Sequence, residues 1–293
     1  MLNGNVSSST VIRRSLPCSI SLLTMLLVAA CGGGSASSPT STNPSPVVNN
    51  QSVGGIWDTK YTVTTGPNTG NVITGIAIAT ENGDFFFGSV NDNNGCAEAG
   101  FGQASVSGSS LSGTLDWGLV QFTTIPGVAT NCVEPDGSTY GTATITGTVA
   151  QRSSLTVIDT DTTSNGTVDA ALTTTWTYNA LYSETPSLNT IAGNWTFGSN
   201  TVNISSSGAI FEQDPNTGCV VNGQIAIPDA SHNAYTFSIT YSSCAGSDSV
   251  FNGSTATGIL YVDDTASPNQ LIGGWSVTVS GKLYVIVADL PRQ

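Results

Sequence analysis

Charged side chains are scarce in this sequence, and positively charged ones are the scarcest. Of the 293 residues only 9% are Asp, Glu, Lys or Arg, and the 19 acidic residues outnumber the 6 basic ones, which gives a formal net charge of −13. A surface with this charge repels the phosphate backbone of nucleic acids and the anionic headgroups of a membrane. We therefore exclude nucleic-acid binding, and any attachment to a membrane would have to go through a lipid.

Imidazole is almost absent, because His232 is the only histidine. This disfavours a zinc site of His and Cys ligands and a Ser-His catalytic pair, and His232 stands in the polar segment 229–233, for which we predict an exposed turn. Acidic residues near turns or strand ends are predicted to lie on the surface rather than to form a catalytic pair: Asp58, Asp84, Glu98, Asp116, Glu134 and Asp136. We predict no enzymatic activity and no cofactor.

Helical patterns are also missing beyond residue 30. Instead, short runs such as 72–78, 172–178 and 275–279 alternate apolar with hydroxyl-bearing side chains. A period of two with one polar face is typical of antiparallel strands. The predicted fold class is therefore all-β.

Aromatic residues alternate with Thr or Gly along these runs, so we expect most of them in a core. This applies to all five tryptophans, namely Trp57, Trp117, Trp176, Trp195 and Trp275. In the run Phe-Phe-Phe at 85–87, successive side chains must point to opposite faces of a strand. We expect Phe86 to form a surface patch or to lie at an interface between two halves of the molecule.

The two halves of the chain repeat one another in order. Gly55-Ile56-Trp57 recurs as Gly193-Asn194-Trp195, and Asn-Asn-Gly-Cys at 93–96 recurs as Asn-Thr-Gly-Cys at 216–219. Each half then has a second cysteine and a Thr-rich run. An ordered repeat of this kind predicts two homologous antiparallel domains, 53–185 and 186–293, with Pro186 near the joint.

Turn residues divide the second half into about eight candidate strands. They begin near Trp195, Thr201, Ala209, Cys219, Ala234, Phe251, Leu271 and Lys282. Eight short sequential strands predict a meander closed into a small barrel, because closure removes exposed strand edges. A two-sheet sandwich fits the same strand count.

The first thirty residues contain the one extended apolar run. Arg13 and Arg14 precede it, and it continues to Val28 before two alanines. Charge, then apolar residues, then small residues is the order of a secretory signal peptide. The run is shorter than the roughly 20 residues that a bilayer span needs, so we predict a signal peptide at 1–30 rather than a retained membrane helix.

A cysteine follows this signal directly. Val28, Ala29, Ala30 and Cys31 fit the four places of the lipobox, and the segment resembles the signal peptide of bacterial lipoproteins. The resemblance implies cleavage before Cys31, a diacylglyceryl group on its sulfur and an acyl chain, such as palmitate, on its new amino group. Position 32 is not Asp, which in this family favours the outer membrane. Residues 31–52 are mostly Gly, Ser, Pro, Thr and Asn and predict a disordered tether.

Four further cysteines would then lie in an exported, oxidising compartment, where thiols pair. Four cysteines allow three pairings, and the repeat selects the one in which each half closes its own bridge. We predict the disulfides Cys96–Cys132 and Cys219–Cys244. The first half carries an insertion around 118–131 that lengthens its loop.

A second, weaker resemblance rests on the two Gly-x-Trp motifs. Gly55-x-Trp57 and Gly193-x-Trp195 are similar to the first strand of the lipocalin and avidin-like barrels, and Arg292 follows the last strand, where lipocalins place an arginine against that tryptophan. The resemblance implies an eight-stranded barrel that could carry a small apolar ligand.

The segment 159–169 is a candidate calcium site. Asp159, Asp161, Asn165 and Asp169 have the spacing of calcium ligands, but Leu172 stands where the closing acid belongs. Asn165-Gly166 between two strand-like runs is itself typical of a hairpin turn. We predict the hairpin and no metal, with calcium as the alternative.

Together these features predict a lipid-anchored envelope lipoprotein with tandem β domains, attached to the outer membrane through Cys31. The function that we expect is non-enzymatic, either binding of a protein partner or a structural role. Two alternatives are a lipocalin-like carrier of a small apolar ligand and an inhibitor of cell-wall hydrolases. A carrier predicts a pocket inside a barrel, whereas a filled interior favours a partner-binding or structural role.

Overall fold

The computed structural model describes residues 51–64, 69–121, 132–169 and 171–293. The predicted signal peptide, the lipid site at Cys31, nearly all of the tether and most of the insertion at 118–131 lie outside the described residues. Within those residues the chain forms two antiparallel eight-stranded sheets, so the all-β prediction is confirmed. No helix in the described part of the chain is both long and apolar enough to span a bilayer.

The first domain is a closed barrel in which each strand pairs with the next and β1 also pairs with β8. Its strands are β1 Gly55–Thr62, β2 Val72–Ala79, β3 Asp84–Asn91, β4 Cys96–Ser107, β5 Ser110–Gln121, β6 Tyr140–Ala150, β7 Ser154–Thr163 and β8 Leu172–Asn179. The closing ladder places Ile56 opposite Asn179 and Asp58 opposite Thr177. The barrel is therefore confirmed for this domain, and the sandwich alternative is wrong.

The second domain repeats the meander but stays a half-barrel. Its strands are β9 Gly193–Phe197, β10 Asn200–Ile204, β11 Ala209–Gln213, β12 Val220–Ala226, β13 Tyr235–Ser242, β14 Thr255–Asp263, β15 Gln270–Val279 and β16 Lys282–Pro291. Among the described residues, β9 and β16 meet through the bridge of Trp195 with Arg292 and a 3.0 Å hydrogen bond from Gln293 N to Asn194 O. No continuous ladder joins β9 to β16 in the described part of the chain, so this sheet stays open.

The predicted start of one strand, near Phe251, is wrong, although the strand itself is present. Phe251 ends a 3₁₀ helix, Gly246–Phe251, and the strand begins at Thr255. The cause is local, because the side chain of Asn252 accepts a hydrogen bond from Cys244 N (2.8 Å) and donates one to Cys244 O (2.8 Å). These two bonds hold the segment as a compact loop beside the disulfide.

Both predicted disulfides are present. Cys96 is bonded to Cys132 and Cys219 to Cys244, so each domain closes its own bridge. The two domains are joined by a 3₁₀ helix, Ala180–Ser183, and a short helix α1, Leu188–Ile191. Pro186 lies between these two helices, as predicted for the joint.

The repeated tryptophans are structurally equivalent. Trp57 and Trp195 are both fully buried, and each indole donates a hydrogen bond to the carbonyl four residues earlier, Val53 O at 3.1 Å and Ile191 O at 2.8 Å. Gln51 N also donates a hydrogen bond to Gly108 O (2.9 Å) in the turn between β4 and β5. The last residues of the predicted tether therefore pack against this end of the first barrel instead of remaining disordered.

A third apolar core lies between the two domains. It contains outward-facing side chains of the first barrel, such as Ile56, Ile78 and Phe86, and side chains of the second domain, such as Ile259 and Val285. We call this core the seam. Phe86 is fully buried there, which confirms the predicted place of this residue between the halves.

Close approach at the seam requires a glycine. A Cβ atom on Gly274 of β15 would lie 2.7 Å from Cε2 of Phe86 and 2.4 Å from the carbonyl oxygen of Ile286. Without a side chain at this position, the Phe86 ring of one domain rests directly on the sheet of the other. The two domains therefore share buried apolar surface rather than being linked only by the chain.

Candidate ligand-binding site in the first barrel

The interior of the first barrel changes from apolar to polar along its axis. On β7 the inward-facing residues are Val157, Asp159 and Asp161 in chain order, and on the antiparallel neighbour β8 they are Trp176, Thr174 and Leu172 in reverse order. Odd-numbered strands all end at the same end of the barrel, so the polar residues gather at that end. We call it the mouth and the opposite end the base.

The base is filled and the mouth is not. Trp57, Leu111 and Leu155 are at most 3% exposed and belong to one continuous apolar core. Above them lies a cavity of about 60 Å³, which we call the pocket. A volume of this size holds roughly four water molecules. It therefore accepts a compact group rather than a large apolar ligand.

The pocket has an apolar floor and a polar upper wall. The floor is formed by Phe85, Phe87, Leu115, Ile145, Val157 and Trp176. The upper wall is formed by Thr59, Tyr61, Ser89, Glu98, Asp159 and Asp161 together with Leu172 and Thr174. Leu172 is 41% exposed, so the pocket opens to solvent past an aliphatic side chain.

Three carboxyl groups of the upper wall are strongly perturbed. Burial, reinforced by the charges of Asp161 and Asp159, raises the pKa of Glu98 well above its ordinary value. Burial, with a contribution from the charge of Asp159, raises the pKa of Asp161 to about 7, and burial raises the pKa of Asp159 to about 6. Tyr61 is shifted in the same direction, since burial and these carboxylates raise its pKa to about 12. Near neutral pH the wall can therefore bind a cation or hold a proton.

No basic side chain in the described part of the chain compensates these carboxylates. The four described Lys and Arg residues are engaged elsewhere: Lys60 lies 3.6 Å from Asp92, Arg152 contacts His232, Lys282 lies over the ring of Tyr284, and Arg292 lies over Trp195. The two other basic residues of the sequence, Arg13 and Arg14, belong to the predicted signal peptide. Within the described residues, the carboxylates of Glu98 and Asp161 accept no hydrogen bond either.

Three of the four predicted calcium ligands lie near one another, since Asp169 N donates to Asp161 O (3.0 Å) and its charge contributes to the raised pKa of Asp161, but the fourth does not. Asp159 and Asp161 line the pocket, whereas Asn165 is exposed in a turn where its Nδ2 donates to Asp136 O (3.1 Å). Gly166 has φ +85° and its N–H bonds Thr163 O (2.9 Å), as expected for the predicted hairpin turn. The described residues contain no group of three or more His, Cys, Asp or Glu side chains placed to hold a metal ion.

A second depression lies on the outer surface of β4 and β5. It has a volume of about 460 Å³ and is lined by polar side chains such as Gln103, Ser105 and Ser112, which are exposed. It is shallow and has no apolar floor. The pocket inside the barrel is therefore the better candidate for a binding site.

The prediction for His232 is wrong. Its side chain is only 10% exposed and stacks on the ring of Tyr182 at 4.6 Å. Arg152 of the first domain approaches its Nε2 to 3.0 Å, and Asp229 lies 3.2 Å from its Nδ1. The residue is buried because loops of both domains converge on it. It therefore contributes to the contact between the domains and lies outside the pocket.

The prediction for Glu98 as a surface acid is also wrong, and the seam is the reason. Glu98 alternates with Ala97 and Ala99 on β4, which are both fully buried. In an ordinary barrel the apolar set would face inward. Here Ala99 lies in the seam, so the opposite set, with Glu98, faces the barrel interior.

The predicted contact of Arg292 is confirmed. Its guanidinium carbon lies 5.4 Å from the ring centroid of Trp195, and its two terminal nitrogens donate to Thr190 O (3.1 Å) and Ala192 O (2.6 Å). The fold thus defines a protein with two tandem barrel-like domains, one closed and one open. Compared with protein-family models, curated proteins and solved structures, the chain matches none.

Proposed function

We propose that the chain is an exported, lipid-anchored, non-enzymatic binding protein of the cell envelope, and that it holds a small ligand in the pocket. The signal-like residues and Cys31 support export and anchoring to the outer membrane. The observation that carries the binding role is the pocket itself, a cavity with an aromatic and aliphatic floor that opens to solvent at one end of a closed barrel. The mouth of a β-barrel is one of the usual places of a small-ligand site, and a cavity of about 60 Å³, well below the roughly 300–1,000 Å³ of sites for drug-sized ligands, limits the ligand to a few heavy atoms.

This choice favours the carrier-like role over a protein-docking or structural one. The three most exposed of the described apolar side chains, Val168, Phe211 and Val250, lie on three separate segments of the chain. Isolated exposed apolar side chains are normal on soluble proteins. No contact among the described residues favours inhibition of cell-wall hydrolases.

A non-enzymatic role is supported by the hydroxyl groups of the pocket, because among the described residues none of them is hydrogen-bonded to a candidate base, either His232 or one of the three wall carboxyl groups. His232 lies at the seam, not in the pocket. The pocket offers the hydroxyl groups of Thr59, Tyr61, Ser89 and Thr174. The Thr59 hydroxyl donates to Thr175 O (2.8 Å), and the Thr174 hydroxyl accepts a hydrogen bond from Trp176 Nε1 (2.9 Å). We therefore expect release of the bound ligand unchanged.

The test is an NMR titration of the mature domains, carrying Cys31→Ser, with three probes of similar size: butan-1-ol, n-butylamine and butyrate. A ligand of five heavy atoms is expected to bind with a Kd of about 1 mM when each atom contributes about 0.8 kcal/mol. We expect at least one probe to give saturable shifts at the amides of β3, β7 and β8, which line the pocket.

A matched pair of variants decides whether the shifts report the pocket. Ser89→Leu places an isobutyl group in the pocket and should abolish saturable binding, whereas Ser107→Leu makes the same change at an exposed position of β4 and should leave it intact. Absence of saturable binding by all three probes would refute the proposal. Equal loss of binding in both variants would refute it as well.

A further inference from the structure

We infer that the ligand of the pocket is a small organic amine, bound with its ammonium group among Glu98, Asp159 and Asp161 and its short apolar part on the aromatic floor. This inference rests on the proposed function and names the chemical class of its ligand. It is carried by the order of groups along the barrel axis and by the charge balance of the chain.

The order of groups matches an amphiphilic cation. Passing from base to mouth along β7, an apolar side chain, Val157, precedes two carboxylates, Asp159 and Asp161. Across the barrel, Phe87 precedes Ser89 on β3 in the same direction, and Ser89 pairs with Glu98. A ligand that enters through the mouth therefore places its apolar end on the floor and its polar end at the carboxylates.

The length of the pocket agrees with this orientation. Val157 and Asp161 are four residues apart on one strand, a separation of roughly 13 Å at about 3.3 Å per residue. Much of that length is taken by the side chains themselves, which leaves the cavity of about 60 Å³. A chain of three or four carbon atoms with one nitrogen fits this space, and a larger amine would extend past Leu172 into solvent.

The charge balance favours a cation over a neutral or anionic ligand. Three carboxyl groups share the wall, and no Lys or Arg among the described residues faces them. An ammonium group carries three donors, which can satisfy acceptors that the protein leaves without hydrogen bonds, such as the carboxylates of Glu98 and Asp161. A carboxylate ligand would be repelled by the same groups.

An organic cation fits better than a metal ion. The described residues contain no set of carboxylates at metal-ligand geometry. The floor below the carboxylates is aromatic and aliphatic, and a hydrated metal ion would find no partners there. Tyr61, Phe87 and Trp176 can instead contact the methylene groups of an amine, or its charge through the ring face.

The experiment compares n-butylamine with butan-1-ol in the same titration. A hydrogen bond to a charged partner contributes about 1.5–3 kcal/mol, so we expect the amine to bind roughly tenfold to a hundredfold more tightly than the alcohol at pH 8. The pKa of Asp159 is about 6, and burial together with the charges of Asp159, Asp169 and Glu134 raises the pKa of Asp161 to about 7. At pH 5 these two carboxyl groups are therefore mostly protonated, and the preference should fall to about one. Equal affinity for both probes at pH 8 would overturn the inference while leaving the proposed function intact.

Two substitutions that each remove one charge locate the interaction. Asp161→Asn should weaken binding of the amine about tenfold more than binding of the alcohol. Asp116→Asn removes a charge from an exposed position of β5 and should change neither. A similar loss for both probes, or a stronger response to calcium than to the amine, would overturn the inference.

Discussion

Truncation of Phe86 tests whether the seam makes one structural unit of the two domains. The ring is fully buried, lies 5.0 Å from the ring of Phe101 in its own barrel, and rests on Gly274 of the other domain. A buried Phe→Ala change costs about 3–5 kcal/mol. If about half of this is lost across the seam, the free energy of unfolding of the second domain falls by about 1.5–2.5 kcal/mol, which raises its opening equilibrium roughly tenfold to seventyfold.

Hydrogen exchange measured by mass spectrometry on peptides of β15, Gln270–Val279, reads out this change. Phe86→Ala should speed exchange in these peptides by the factor given above. Phe85→Ala is the matched control, because Phe85 is on the same strand but faces the core of the first barrel and is 4% exposed. It should destabilise the first domain and leave the β15 peptides nearly unchanged. Equal acceleration by both variants, or none by Phe86→Ala, would refute a shared core.

Three further predictions concern the carboxylates, the disulfide and the terminal arginine. Because the pKa of Asp161 is raised to about 7, its contribution to stability is complete below the ordinary carboxyl range and is lost as pH rises through 7. Asp161→Asn should therefore raise the free energy of unfolding at pH 8 by about 1–2 kcal/mol, a figure discounted for the partial exposure of the side chain. Urea titrations should show little effect of this substitution at pH 4. Replacing both Cys219 and Cys244 by Ser opens a loop with a sequence separation of 25 and should lower the free energy of unfolding by about 3.5 kcal/mol or less, measured by denaturation of the oxidised protein. Arg292→Lys keeps the charge near Trp195 but loses the fork that bonds two carbonyl groups, so the melting temperature should fall by a few degrees, whereas an unchanged value would mean that these bonds contribute nothing.

Sequence patterns predicted the features that depend on local chemistry and on repetition. The order of Gly-x-Trp and Cys motifs in the two halves predicted two domains with two internal disulfides, because each motif performs the same local task in both copies. Trp57 and Trp195, for example, use the same hydrogen bond to a carbonyl four residues earlier. Alternation of Thr with apolar residues was sufficient to predict the strands.

The features that the sequence did not predict all depend on contacts between the domains or between distant strands. Glu98 was assigned to the surface because acidic residues near strand ends usually lie in solvent. The seam buries the outer face of several strands of the first barrel, and the face that carries Glu98 is therefore the interior one. His232 was assigned to an exposed turn because its partners, Arg152 and Tyr182, are far away in the chain. Whether β9 and β16 pair is decided by contacts between the two ends of the domain, which turn residues do not reveal.

The chain enters the first barrel at the end opposite the pocket, and this arrangement decides which end would face away from a point of attachment. The chain enters at Gln51, beside the Gly108 turn at the base, whereas Leu172 marks the opposite end. A linker or lipid anchor on the amino-terminal side would therefore be attached at the filled base of the barrel and would leave the mouth unobstructed. Small molecules in solution would then reach the acidic mouth without passing between the protein and the membrane to which it would be attached.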